Sequence, residues 1–212
     1  MANIKRKLVL LAMFATAPLQ AAEEAEFDPN SVSEIDAIEC RLKVPNYNGF
    51  AAAIGGGKNI AGKRHWKKID TGNPFLNEYE LPAPITVAQH YSTRRITLSA
   101  TGIVAILDVP DPAVIAGAEN IKNQVDLDAF INDAVAAGGV TRAQIESQVK
   151  FRKFLGERVI SDVTEQAPPG EIFGAHTTVT RSISNVSTHP GKTLYGCSYN
   201  FELLDKDGKP LK

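Results

Sequence analysis

Cys40 and Cys197 are the only cysteines in the chain, and a bond between them would tie the start of the fold to its last strand. Whether they join depends on where the chain goes. Lys5-Arg6-Lys7 is a positive patch, Leu8 to about Leu19 is an apolar run, and small Ala21 and Ala22 precede acidic Glu23-Glu24. That is the pattern of a secretory signal, and the run is shorter than the ~20 apolar residues a membrane-spanning helix needs. Cleavage is expected near Ala21, which makes residues 1–21 a signal peptide and the periplasm, or the medium beyond it, the expected address. In such an oxidising compartment an even pair of cysteines forms one disulfide. Closing so long a loop stabilises a fold by about 5 kcal/mol in the chain-entropy model. A redox role is not expected, because reactive pairs usually stand two residues apart.

Loss of the signal takes Lys5, Arg6 and Lys7 and no acid, so the remainder is more acidic than the formal charge of −1 on the whole chain. A mildly acidic protein with no concentrated basic face is a poor nucleic-acid binder. No apolar stretch after the signal is long enough to span a membrane. Residues 22–34 are acidic and lack apolar periodicity, which predicts a flexible lead-in. Residues 35–212 are expected to form one globular domain.

Inside that domain the same plan is legible twice, over about 40–109 and 120–205. Asn46 as a cap, then Tyr47, Phe50, Ala51 and Ile54 on one face, predict a helix that ends at Gly55-Gly56-Gly57. Asp126, then Leu127, Phe130, Ile131 and Ala134, predict a second that closes at Gly138-Gly139. Downstream, Phe75-Leu76-Asn77-Glu78 answers Phe154-Leu155-Gly156-Glu157. Ile85, Ala88, Thr93, Arg94 and Ile96 answer Ile172, Ala175, Thr180, Arg181 and Ile183 at one constant offset. Agreement in order is what makes a duplication credible. Asp111-Pro112 predicts a short helix joining the halves, and Thr141–Val149 reads as either helix or loop. In the last strand Tyr195, Cys197, Tyr199, Phe201 and Leu203 alternate with polar or small residues, which predicts one buried face. His189-Pro190-Gly191-Lys192 is a turn signal.

The expected fold is therefore α+β: two layers, tandem α-β-β-β repeats, an antiparallel sheet of about six strands and helices on one face. Secreted enzyme inhibitors of the β-lactamase-inhibitor type are similar in plan, being tandem helix-plus-sheet repeats. The resemblance is architectural, with no shared motif.

Catalytic signatures are missing. Gly55-Gly56-Gly57-Lys58 has Ala52 and Asn59 where a phosphate loop needs Gly and Ser or Thr, so the glycines read as a helix stop. No GxSxG elbow occurs, and the carboxylate pairs Glu78/Glu80 and Glu165/Glu171 carry no mark of a hydrolytic dyad. His65, His90, His176 and His189 show no metal-ligand spacing. No motif calls for a cofactor, and no catalytic or metal-binding residue is assigned.

Two groups are candidates for binding. Arg94 and Arg181 recur in mid-strand and could fork a carboxylate or phosphate, or pair with Glu78, Glu80 or Glu157 across the sheet. Lys63, Arg64, Trp66 and Lys67 form the densest basic stretch and could meet an anionic partner, or form an edge strand with Trp66 in the core. The expectation is an exported, non-catalytic binding protein of the cell envelope, with an envelope protein or an anionic small ligand as partner. The alternatives are an inhibitor or accessory protein of an envelope enzyme, and a hydrolase of unrecognised type.

Overall fold

The computed structural model describes residues 27–72 and 76–211. The expected signal peptide and Phe75 lie outside them. After a short 3-10 turn at Pro29–Ser31 come α1 (Glu34–Ile38), α2 (Val44–Gly55) and α3 (Ile60–Lys63). Four strands follow: β1 (Lys67–Ile69), β2 (Asn77–Val87), β3 (Tyr91–Ser99) and β4 (Gly102–Leu107). Then come α4 (Pro112–Ala118), α5 (Leu127–Ala136), α6 (Arg142–Gln148), β5 (Leu155–Glu165), β6 (Gly174–Ser184) and β7 (Thr193–Leu204).

The helix ends follow their caps. Asp111 caps α4 with Pro112 in its first turn, and Asp126 accepts from the Ala129 N–H at the start of α5. The ambiguous segment is a helix because Thr141 and Gln144 form a reciprocal capping box. α2 starts earlier than the Asn46 cap predicted: its N-cap is Lys43 and Pro45 occupies the first turn, where proline's fixed φ suits a helix start.

Residues 27–34, the described part of the lead-in, are folded onto the domain. Pro29 and Val32 are buried. Arg64 donates to the carbonyls of Asn30 (2.8 Å) and Val32 (2.7 Å) and pairs with Glu34 at 2.7 Å. Phe27 packs against the core over Gly49, where a Cβ would collide with its ring. The hydrogen bonds come from a side chain far downstream, which apolar periodicity does not register.

The fold class is α+β with one antiparallel sheet of seven strands in the order β1-β2-β3-β4-β7-β6-β5. Each half contributes a meander, and the last strands of the two, β4 and β7, pair at the centre. Gly196 lies on this seam. A Cβ there would overlap the Ile103 carbonyl and the Val104 backbone, so glycine permits the close approach. The strand beyond the expected set, β1, is a short edge carrying Lys67 and Lys68, residues that discourage further pairing.

The strand plan is mirrored about the seam, but the helices are not. From the first half, α1 and α2 cross onto the second half's strands, with the Tyr47 ring stacked on Tyr199 at 4.2 Å. α5 pairs with α6, burying Ile131 and leaving Phe130 63% exposed. The alternation of β7 accordingly runs past the end of its cover: Tyr195, Cys197 and Tyr199 are buried, while Phe201 and Leu203 are 50% and 38% exposed.

The end of α1 is held to the second half residue by residue. Tyr199 Oη donates to the Ala37 carbonyl at 2.7 Å. Arg181 Nη1 donates to the Ile38 carbonyl at 2.7 Å, and its Nη2 donates to Glu39 Oε2 at 2.9 Å. Cys40 is bonded to Cys197 with the Cα atoms 5.3 Å apart, closing a separation of 157 residues. Reduction of that bond, or the paired change Cys40→Ala and Cys197→Ala, is expected to lower stability by about 5 kcal/mol in the entropy model. Guanidinium denaturation with and without reductant measures this.

Candidate functional site

The sheet register places two transverse rows next to each other. The first row, Tyr79, Ile96, Ala105, Tyr195 and Ile183, faces the helices and is buried. One residue along each strand, side chains turn to the other face. That second row runs Glu78 (β2), Thr97 (β3), Val104 (β4), Gly196 (β7), Ser182 (β6) and Glu157 (β5). It crosses the seam between the halves on the face that lacks helices.

This face is not simply wet. Glu78 is 1% exposed, Thr97 7% and Ile106 3%. Their cover includes the β6–β7 connection, residues 185–192, which curls over the row and is pinned at three points. At its base, Asn185 Oδ1 accepts from the Phe154 N–H at 2.8 Å, and its Nδ2 donates to the Arg152 carbonyl at 3.0 Å. In the middle, His189 Nε2 lies 3.1 Å from Glu78 Oε2. At the far end Lys192 pairs with Asp108.

Glu78 is thereby a buried carboxylate with partners at both oxygens. Arg95 reaches Oε1 through Nε at 2.8 Å and also through Nη2. His189 reaches Oε2, and its Nδ1 lies 3.1 Å from Thr188 Oγ1. A carboxylate this buried needs such compensation, because desolvation penalises an unpaired charge by several kcal/mol.

Between roof and sheet lies a recess of about 330 Å3 lined by residues that include Thr97, Val104, Ser182, Val186, His189 and Leu194. Its size falls at the low end of small-molecule sites, about 300–1,000 Å3. Depressions of about 710 Å3 beside α2 and about 700 Å3 around Arg94, Arg95 and Lys192 are larger but more open. The recess also holds unmet polar groups. The Thr97 hydroxyl is shielded from solvent and has no hydrogen-bond partner, a deficit worth roughly 1–3 kcal/mol. On the rim, the Glu157 carboxylate has no ion-pair partner among the described residues.

The two candidate arginines are not brought together. Arg181 is 4% exposed and lies in the helix-facing core, with its guanidinium 4.2 Å from the Tyr195 ring centroid and committed to Ile38 and Glu39. Arg94 is half-exposed, donates through Nε to the Leu81 carbonyl at 2.9 Å and lies 3.9 Å from Glu80. In the basic stretch, Trp66 is buried 5.5 Å from the Tyr79 ring, Arg64 is committed to the lead-in, and Lys63 and Lys67 are exposed. Of the site residues, Glu78, Thr97 and His189 were missed as binding groups. His189 reads as an exposed turn residue from sequence, yet its side chain is 15% exposed because it reaches down to Glu78.

Further along the same face His176 stands between Asp162 (Nε2, 2.8 Å) and Glu202 (Nδ1, 3.0 Å). Hydrogen bonds to Glu202 and then Asp162 raise its pKa above the usual 6.5. His90 is exposed in the β2–β3 turn, apart from His176. Among the described residues no three His, Cys, Asp or Glu side chains converge to hold a metal ion.

The class defined by fold and site is an α+β protein with a seven-stranded antiparallel sheet and a roofed recess on its helix-free face. Comparison with protein-family models, curated proteins and solved structures finds no match.

The unequal roles of the two arginines give a direct test. Glu39→Ala strands the buried Arg181 charge and is expected to destabilise by about 3–5 kcal/mol, whereas Arg94→Ala costs less than about 1 kcal/mol. Urea denaturation of each variant separates them. For His176, the raised pKa means that its contribution to stability is present below the unfolded value near 6.5 and fades as pH rises through the folded value. NMR titration should place the ring's midpoint above 6.5, with Glu202→Gln lowering it more than Asp162→Asn.

Proposed function

We propose that this chain is an exported binding protein of the bacterial cell envelope, working in the periplasm without catalysis, and that it holds a small ligand in the recess beneath the β6–β7 connection. The observation that carries the reading is Thr97. A hydroxyl without a partner, in the wall of a roofed cavity, is a group that a bound molecule can satisfy. The recess also crosses the seam between the two halves, where both supply side chains. The export pattern at the start of the sequence and the Cys40–Cys197 disulfide support an oxidising compartment. Among the described residues no helix is long and apolar enough to cross a membrane. An anionic ligand would have to use the open depression around Arg94, Arg95 and Lys192, because Arg181 is enclosed by its own partners.

A second reading, a hydrolase, has one observation in its favour: Thr188, His189 and Glu78 form a hydroxyl–imidazole–carboxylate chain with both links at 3.1 Å. In a nucleophilic triad the carboxylate steadies the imidazole as it takes the hydroxyl's proton. Here Arg95 already neutralises Glu78, which weakens that support.

Native mass spectrometry of protein released from the periplasm tests the first reading. Wild type is expected to carry a small-molecule adduct that Ser182→Phe, which fills the recess from the sheet side, removes without changing the circular dichroism spectrum. Equal adduct on both proteins would place the ligand elsewhere. Under the second reading, Thr188→Ala would abolish ester hydrolysis and leave any adduct in place.

A further inference from the structure

The helix layer stops before the sheet does. On the helix-facing side, Tyr199 of β7 and Val179 beside it on β6 are the last buried residues, and Tyr199 donates to the Ala37 carbonyl at the end of α1. Beyond them β5, β6 and β7 run on together. The next row on that side is Phe201, Thr177 and Val163, and the one after is Leu203, Ala175 and Glu165. The returning tail sets Leu211 beside Leu203, whose carbonyl accepts from the Leu211 N–H at 2.9 Å.

This uncovered end of the sheet is apolar. Phe201, Leu203, Val163 and Leu211 are 50%, 38%, 43% and 47% exposed. Ile172 and Phe173, just ahead of β6 at the same tip, are 61% and 46% exposed. With about 200 Å2 to bury on each large side chain, they leave about 500 Å2 of apolar surface per copy, a size at which patches are often functional. We propose that this face packs against the same face of a second copy, the two β5–β7 sheets stacked about a two-fold axis that runs along β6.

Area, shape and charge all fit a second copy. A standard interface buries about 800 Å2 per partner, of which about 60% is apolar, close to what this patch offers. Thr177 and Ala175 stand on the axis, small enough for two sheets to approach to about 10 Å. The axis also sets the Phe201 ring of each copy over Val163 of the other, large on small. Glu165 ends β5 on one side of β6, and Lys209 lies on the other side, in the tail beyond β7. Neither has an ion-pair partner among the described residues, and the same axis brings Lys209 of each copy to Glu165 of the other.

A lipid surface fits less well. The tip carries Glu165, Glu171, Asp205 and Asp207 against Lys206 and Lys209, a negative balance that anionic head groups repel. Edge-to-edge pairing through β5 is hindered. Asn123 and Gln124 bond to Leu155 at its start, and its register breaks between Val159 and Ser161, a bulge of the kind that protects edges. The recess lies on the opposite face of the sheet, so a dimer of this form leaves both copies of it open.

Sedimentation equilibrium of the processed protein over micromolar concentrations is expected to give twice the monomer mass. Phe201→Asp should weaken association by about a hundredfold and leave the circular dichroism spectrum unchanged. Val163→Asp, across the axis, should do the same. Glu165→Lys or Lys209→Glu alone should weaken it by about tenfold, and both changes in one chain should restore it, because each copy then presents the reversed pair. A dimer indifferent to both aspartate variants would overturn the proposal. So would a monomer at every concentration, whether or not it then binds phosphatidylglycerol vesicles. Charge changes that weaken association singly and are not rescued together would overturn the two-fold arrangement.

Discussion

Glu39 is the group through which the two halves of the chain are joined. One carboxylate oxygen accepts from the Ala88 N–H at the β2–β3 turn, at 2.8 Å. The other accepts from Arg181 on β6 at 2.9 Å and from the Tyr195 hydroxyl on β7 at 3.0 Å. Burial pushes the Tyr195 pKa far up, so that hydroxyl stays protonated and donating. Ala88 and Gln89 both have positive φ, a conformation that costs a residue with a Cβ, and Glu39 helps to fix that turn. The disulfide one residue later makes the same junction covalent.

Much of the architecture follows from that junction. Because α1 and α2 are pulled across the seam, they cover β7 as well as their own strands, and α5 is displaced from the place a strict repeat would give it. The sheet becomes continuous at β4 and β7, and the transverse row that floors the recess becomes possible. A row of this kind needs all six strands in register, so the recess belongs to neither half alone. Its roof is set by the second half and its latch, Glu78, by the first.

What was legible in the sequence was mostly local. Alternation in β7 as far as Tyr199, the helix stops at glycine and the cap at Asp126 depend on neighbours within a few residues, and these appear where the pattern puts them. The cysteine pair was legible from chemistry and compartment. Roles set by distant partners were not. Arg94 and Arg181 look alike in sequence, yet one lies half in solvent and the other is buried against the end of α1, where the Ile38 carbonyl and Glu39 accept from it. His189 sits in a turn signal whose geometry was correct and whose depth was not, since the residue that draws it inward lies on β2. The floor of the recess is a property of register across six strands, and no single stretch of sequence contains it.

Amide hydrogen exchange on β4 and β7 tests the junction most directly. If Glu39 and the disulfide make one cooperative unit, the paired amides of both strands exchange only with global unfolding. The Glu39→Ala change then lowers protection in β2–β4 and in β5–β7 by the same free energy. Loss of protection confined to one meander, with the other unchanged, would contradict the account: the halves would then be separately stable, and the recess between them would not be a fixed feature of the molecule.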